Sequence, residues 1–239
     1  NSNAIVSGNI EKIEKSSASN STDITYWSSP VFNEQIENVF EDVNTNRIFY
    51  FDQKEHLDND PNSDTYYDVW RLATGTMEVA KGYAAEGVKV DDEIRPMSFK
   101  GRPNFGVIET EVLDFHLDAV DNDYNLIGNP YPAAIDIEAF LEVNEDVIDG
   151  TAYFWNHTIG LVNGEFTQDD YVTYNRFTSV PEVGKNIGSG QGFFVRTIKS
   201  GIVSFDPSMI LRGSNDQFFK VAKEKGSIEK NSLRINLRG

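Results

Sequence analysis

The sequence predicts an all-β protein made of two similar antiparallel β units of β-sandwich or jelly-roll type, related by an internal duplication and each carrying one short helix. Three observations lead to that reading. Short apolar and aromatic runs alternate with Gly-, Pro-, Asn- and Ser-rich turns along the chain. Apolar residues recur at helical spacing in two places, each just after a proline. Five blocks of the first half also return in the second half in the same order.

Gly8-Asn9-Ile10-Glu11 matches Gly106-Val107-Ile108-Glu109, and Trp27-Ser28-Ser29-Pro30 matches Ile127-Gly128-Asn129-Pro130. Phe49-Tyr50-Phe51 matches Tyr153-Phe154-Trp155, Ala80-Lys81-Gly82-Tyr83 matches Gly190-Gln191-Gly192-Phe193, and Met97-Ser98-Phe99 matches Val203-Ser204-Phe205. The offsets are 98, 100, 104, 110 and 106 residues. Each block is short, but five in one order at a slowly drifting offset indicate a repeat. Two copies make a packed pair rather than a solenoid, with expected boundaries at 8–105 and 106–212. Residues 213–239 then read as a connector and the first strand of a following module.

Within the first unit, Gly8 to Lys15 alternates around Ile10 and Ile13 and reads as a strand, followed by a Ser/Asn-rich turn. Ile24 to Trp27 is a second strand, stopped by Pro30. Phe32, Ile36, Val39 and Phe40 then predict a helix of two turns with Asn33 as its N-cap. Strands are expected at Arg47–Phe51, Tyr66–Leu72 and Met77–Ala84 and around Phe99, with a turn at Gly101-Arg102-Pro103-Asn104.

In the second unit, Ile108 to Leu117 suggests a long strand with a bulge. Pro130 and Pro132 precede a helix capped by Asp136, with Ile137, Phe140 and Leu141 as its apolar face. Thr151–Trp155 and Tyr171–Tyr174 are strands, and Asn163-Gly164 marks a tight hairpin between them. Gly188-Ser189-Gly190-Gln191-Gly192 is followed by Phe193-Phe194-Val195, a strand and not the helix a phosphate-binding loop requires. Its glycines are expected to permit a kinked strand running close to its neighbour. Gly82 and Gly192 should occupy matching positions with positive φ or no room for a side chain.

The 21 basic and 38 acidic side chains leave a net charge of −17, which disfavours phosphate backbones and anionic lipid surfaces and attracts divalent cations. The chain has no cysteine, so disulfides and thiolate metal sites are excluded. No apolar run reaches the length of a membrane span. The start at Asn1 and the stop in strand-like sequence at Leu233–Leu237 suggest a piece of a longer polypeptide.

Asp58, Asp60, Asn62 and Asp64 place oxygen ligands at every second position, the spacing by which calcium loops gather an ion. Ser63 and Val69 stand where a helical-hand loop needs glycine and a bidentate Glu, and Pro61 stiffens the middle. Two readings therefore stand: a solvated acidic loop, or an irregular site for a structural calcium ion, with Asp118, Asp121 and Asp123 as weaker candidates in the second unit. His56, His116 and His157 lack metal-binding spacing, no G-x-S-x-G nucleophile motif occurs, and the 38 acids single out no catalytic pair, so the chain is read as non-enzymatic. Tyr66, Tyr67, Trp70, Tyr153 and Trp155 are either sugar-stacking platforms or core, and alternation favours core.

The succession Tyr26-Trp27-Ser28-Ser29-Pro30-Val31, Lys81-Gly82-Tyr83, Leu126 to Asp136, Gly150 to Trp155, Asp169-Asp170-Tyr171, Gly190 to Phe194 and Phe205 to Met209 resembles a region of large secreted surface proteins of flavobacteria and related Bacteroidetes. There it typically precedes a C-terminal sorting domain used by the type IX secretion system. The resemblance covers nearly the whole chain and implies export to the cell surface, in company with flanking domains of the same polypeptide. It carries no catalytic residues over. The expected function is a non-catalytic structural or adhesive module, and the alternative is a carbohydrate-binding module serving a secreted enzyme. Polysaccharide or other cell-surface components are the expected partners, with neither nucleic acid nor membrane insertion.

Overall fold

The structure is a computed structural model that describes residues 7–15, 23–53, 69–90, 93–117, 120–155, 171–177 and 184–213. The first half contains β1 (Ile10–Glu14), β2 (Ile24–Trp27), β3 (Val31–Phe32), α1 (Ile36–Val39), β4 (Ile48–Phe51), β5 (Trp70–Leu72), β6 (Tyr83–Glu86), β7 (Lys89–Val90), β8 (Glu93–Ile94) and β9 (Met97–Pro103). The second half contains β10 (Ile108–Val112), β11 (Phe115–Leu117), β12 (Val120–Asn122), β13 (Tyr124–Gly128), β14 (Ile135–Asp136), α2 (Ile137–Val143), β15 (Ile148–Trp155), β16 (Tyr171–Asn175), β17 (Asn186–Ile187), β18 (Gly192–Thr197) and β19 (Gly201–Phe205). All the strand pairs among the described residues are antiparallel, and the fold is all-β.

Each half is built on one four-stranded sheet, and the two sheets share a strand order: β2-β6-β4-β5 in the first and β13-β18-β15-β16 in the second. Their registers also agree. Tyr26 faces Ala84 where Leu126 faces Phe194, and Trp27 faces Tyr83 where Ile127 faces Phe193. Phe49 pairs with Ala84 and Leu72, as Tyr153 pairs with Phe194 and Thr173. A second layer covers each sheet, made of β1 and β9 in the first half and β10 and β19 in the second. The halves differ most in this layer, because Phe99 lies opposite Lys12 whereas Phe205 lies opposite Ile108. The difference is an even number of residues, so the inward faces of the strands are kept.

Strand alternation sorts each four-stranded sheet into two buried faces. Trp27, Ile48, Tyr83 and Ala85 point into the first unit's core with Phe99, Ile36 and Phe40. Ile127, Ala152, Phe154, Phe193 and Val195 point into the second core with Phe140, Leu141 and Phe205. The opposite faces meet each other: Tyr26, Ala84, Leu126 and Phe194 form a third cluster, lined by Phe49, Phe51, Trp70, Tyr153, Trp155 and Tyr171. Two sandwiches are thus packed back to back through their larger sheets.

The helices enter at corresponding places but start differently from expectation. In α2, Asp136 caps as the sequence suggests, its carboxylate accepting from the Glu138 and Ala139 backbone N–H groups at 2.8 and 3.1 Å, a contact worth about 1 kcal/mol. In α1, the N-cap is Gln35, whose side chain makes no capping bond, and the helix is a single turn. Asn33 instead adopts φ 57°, a left-handed conformation that asparagine tolerates better than most residues, and this keeps it out of the cap. Backbone pairing holds both entrances alike: Ile36 N–H donates to Gly75 O at 2.8 Å, and Ile137 N–H to Lys185 O at 3.1 Å.

Three expectations change. Met77–Ala84 is not one strand: a turn at Glu78–Lys81 sets Ala80 at φ 64°, and β6 begins at Tyr83. Gly101-Arg102-Pro103 is strand and not turn, because Val31 and Phe32 pair with Pro103 and Arg102. Ile108–Leu117 is not one bulged strand: β10 ends at Val112 against β19, and β11 starts at Phe115 and pairs with β12 in a separate sheet. The Asn163-Gly164 hairpin, the Ser16–Ser21 turn and residues 214–239 lie outside the described residues.

Candidate functional site: the seam between the units

The two halves grip each other through reciprocal backbone bonds. Ser28 N–H donates to Gly190 O at 2.8 Å, and Gly128 N–H donates to Ala80 O at 3.0 Å. The bridges Trp27↔Gln191 and Lys81↔Ile127 exchange the halves in the same way. Ala80 and Gly190, at φ 64° and 66°, are the matching left-handed turn residues. The Ala80 methyl is fully buried in the second unit's core, and that burial offsets part of the left-handed strain of about 1–2 kcal/mol. Ser28 and Gly128 face each other, since a Cβ built on Gly128 would overlap the Ser28 side chain.

Glycine is required on both sides of the seam. A Cβ on Gly192 would lie 2.9 Å from the Tyr26 carbonyl carbon and 3.0 Å from the Trp27 nitrogen, and one on Gly82 would collide with Leu126 and approach Ile127 O to 3.0 Å. Neither glycine has a positive φ; their role is close approach. The Gly188–Gly192 loop has the corresponding job, carrying the chain through Gly190 into β18.

Buried amides organise the loops around the seam. Asn129, fully buried, donates from Nδ2 to the carbonyls of Ala133 (2.9 Å), Ile187 (3.1 Å) and Gly188 (2.9 Å). Its Oδ1 accepts from Tyr131 N–H at 3.0 Å, as Ser29 Oγ accepts from Val31 N–H in the first unit. Asn104 Nδ2 spans the halves, donating to Ser29 O at 3.0 Å and Pro130 O at 2.9 Å. The Tyr131 hydroxyl lies 2.7 and 2.8 Å from the Gly106 and Phe205 carbonyls, and burial raises its pKa. Tyr26 Oη and Tyr171 Oη meet across the seam at 2.8 Å, and burial raises the Tyr26 pKa well above its ordinary value. Trp70, Tyr153 and Trp155 belong to this aromatic packing, with Trp70 stacking edge-on against Phe51 at 5.3 Å. They are half-buried and packed against the third cluster, while Tyr66 and Tyr67 lie outside the described residues.

On one side the seam opens into a cleft of about 350 Å³, bounded by Tyr50–Gln53, the Glu78–Lys81 turn, Thr110 and Glu111 of β10, and β13. Lys81 Nζ pairs with Glu78 at 2.7 Å and stands 4.4 Å above the Tyr50 ring. Gln53 Nε2 donates to the Leu113 and Tyr124 carbonyls, and Asn125 exchanges hydrogen bonds with the Leu113 backbone, which fixes the wall. Below the turn, the Tyr83 hydroxyl accepts from Glu78 N–H, and burial pushes its pKa up to about 12.

Of the acidic residues proposed from sequence, Asp58, Asp60, Asn62, Asp64 and Asp118 lie outside the described residues, as do His56 and His157. Asp123 is buried and paired with Arg196, so its carboxylate is engaged within the protein. Among the described residues, no group of three His, Asp or Glu side chains is placed to hold a metal ion. No helix among the described residues is long and apolar enough to cross a membrane. The sequence reading missed Asn104, Asn129 and the cleft; the only signal for Asn129 was its place in the block shared with Ser29.

The profile of the family described as a domain of unknown function (DUF8693) matches residues 1–239, and the chain belongs to that family. No curated protein and no solved structure matches it.

Proposed function

For this member of the family, we propose a non-catalytic structural or adhesive module of an exported bacterial surface protein, formed by duplication of one β unit. The observation that carries the reading is the seam: buried polar side chains such as Asn104, Asn129 and Tyr131 are directed at backbone carbonyls that hold loops and units together. That use of buried amides suits a rigid spacer in a long extracellular chain. The sequence resemblance to secreted surface proteins supports the location. Antibody raised against the chain should label intact producing cells as strongly as permeabilised ones; labelling only after permeabilisation overturns export.

Calcium at Asp58, Asp60, Asn62 and Asp64 belongs to this proposal as a stabilising addition. Extracellular calcium at tenfold excess over the dissociation constant would add about 1.4 kcal/mol by mass action. The melting temperature should rise in calcium relative to sodium at matched ionic strength, and the rise should vanish when Asp58 and Asp60 are changed to Asn. Equal melting temperatures in the two salts refute the calcium site.

A second reading, a carbohydrate-binding module, is favoured by the cleft at the seam, whose size reaches the lower range of small-molecule sites.

A further inference from the structure

We propose that the cleft between the Glu78–Lys81 turn and β10 binds a hydroxyl-rich sugar unit that is neutral or positively charged; the proposal rests on the carbohydrate-binding reading. The first support is a difference between corresponding places in the two halves. Glu78, Lys81 and Tyr50 line the cleft. Under the offsets that align the shared blocks, their counterparts are Gly188, Gln191 and Phe154. Gln191 is buried with its Oε1 accepting from Gly188 N–H at 2.8 Å, and Phe154 is fully buried. One side of the seam is therefore closed by internal contacts, whereas the other presents charged groups around an open volume of about 350 Å³.

The second support is preorganisation: Gln53 and Asn125 tie the cleft wall to Leu113 and Tyr124, so binding would not have to order it.

The lining selects the ligand class. Asp52, Glu78 and Glu111 supply carboxylate acceptors, Thr110 a hydroxyl, and the half-buried Tyr50 and Phe51 an aromatic surface. Carboxylates accept well from adjacent sugar hydroxyls, and an aromatic surface suits the C–H face of a pyranose ring. Three carboxylates against the single ammonium of Lys81 disfavour uronates and other anionic sugars. A volume of about 350 Å³ accommodates one to two rings and not a long chain.

The test is calorimetric titration of the whole chain with cellobiose, chitobiose, its deacetylated diamine and a glucuronate-containing disaccharide, alongside a broad glycan array. At least one of the first three should bind in the millimolar range, and the uronate at least tenfold more weakly. Glu111→Gln and Glu78→Gln, both at exposed positions, should each weaken binding about tenfold without lowering the melting temperature, while Glu142→Gln on α2 should change nothing. Array binding that survives Glu111→Gln and Glu78→Gln overturns the cleft but leaves the carbohydrate-binding reading standing. No binding on the array or by titration overturns both, and uronate binding equal to that of the neutral disaccharides overturns the charge selection.

Discussion

Asn129→Ala is expected to destabilise the chain by about 3 kcal/mol or more, because it leaves a buried backbone N–H, the buried Ile187 and Gly188 carbonyls and the half-buried Ala133 carbonyl without their side-chain partner. For a protein of this size that corresponds to a fall in melting temperature of roughly 6–12 °C. Asn129→Ser should recover part of the loss, since a serine oxygen can accept from the Tyr131 N–H as Ser29 does from Val31. Asn129→Asp should be as harmful as alanine, because it turns a carboxylate towards the Ala133, Ile187 and Gly188 carbonyls. A thermal melt of the three variants decides the matter. If alanine and serine melt together at the parent temperature, the amide is not holding the loop.

Gly192→Val should be comparably damaging, at about 3 kcal/mol, and by a different route. The new Cβ would press on the Tyr26 and Trp27 backbone, and β2 can yield only by opening the seam. Gly82→Val, at the matching position, meets the Leu126 Cγ and the Ile127 carbonyl oxygen. Leu126 is buried and its Cγ is not a free chain end, so the cost should be similar, about 3 kcal/mol. Equal melting temperatures for Gly192→Val and the parent would show that the halves are not in close contact there.

Much of this arrangement was legible in the sequence because the repeated blocks are the residues that the seam and sheets require. Gly82 and Gly192 stand where two backbones approach, and Pro30 and Pro132 precede the two helices. The aromatic runs Phe49-Tyr50-Phe51 and Tyr153-Phe154-Trp155 fill both faces of central strands. Those runs give no apolar–polar alternation because each larger sheet is covered on both sides, which is why periodicity alone could locate strands but not assign their faces. Local chemistry misled where tertiary pairing prevailed. Gly101-Arg102-Pro103 has turn composition, yet β3 supplies a partner that keeps it extended. Asn33 has good capping chemistry, yet the pairing of Gln35 with Thr76 moves the helix start two residues on. The cleft was not legible because its lining comes from four separated segments, none of which carries a motif by itself.

The claim that the halves form one interlocked body is tested most directly by differential scanning calorimetry of the intact chain. A seam made of reciprocal backbone bonds, the Asn104 bridge and a shared aromatic cluster couples the halves, so a single transition is expected, with calorimetric and van't Hoff enthalpies in a ratio near one. Two resolved transitions, or a ratio near two, would mean that each half unfolds alone, and would contradict the claim.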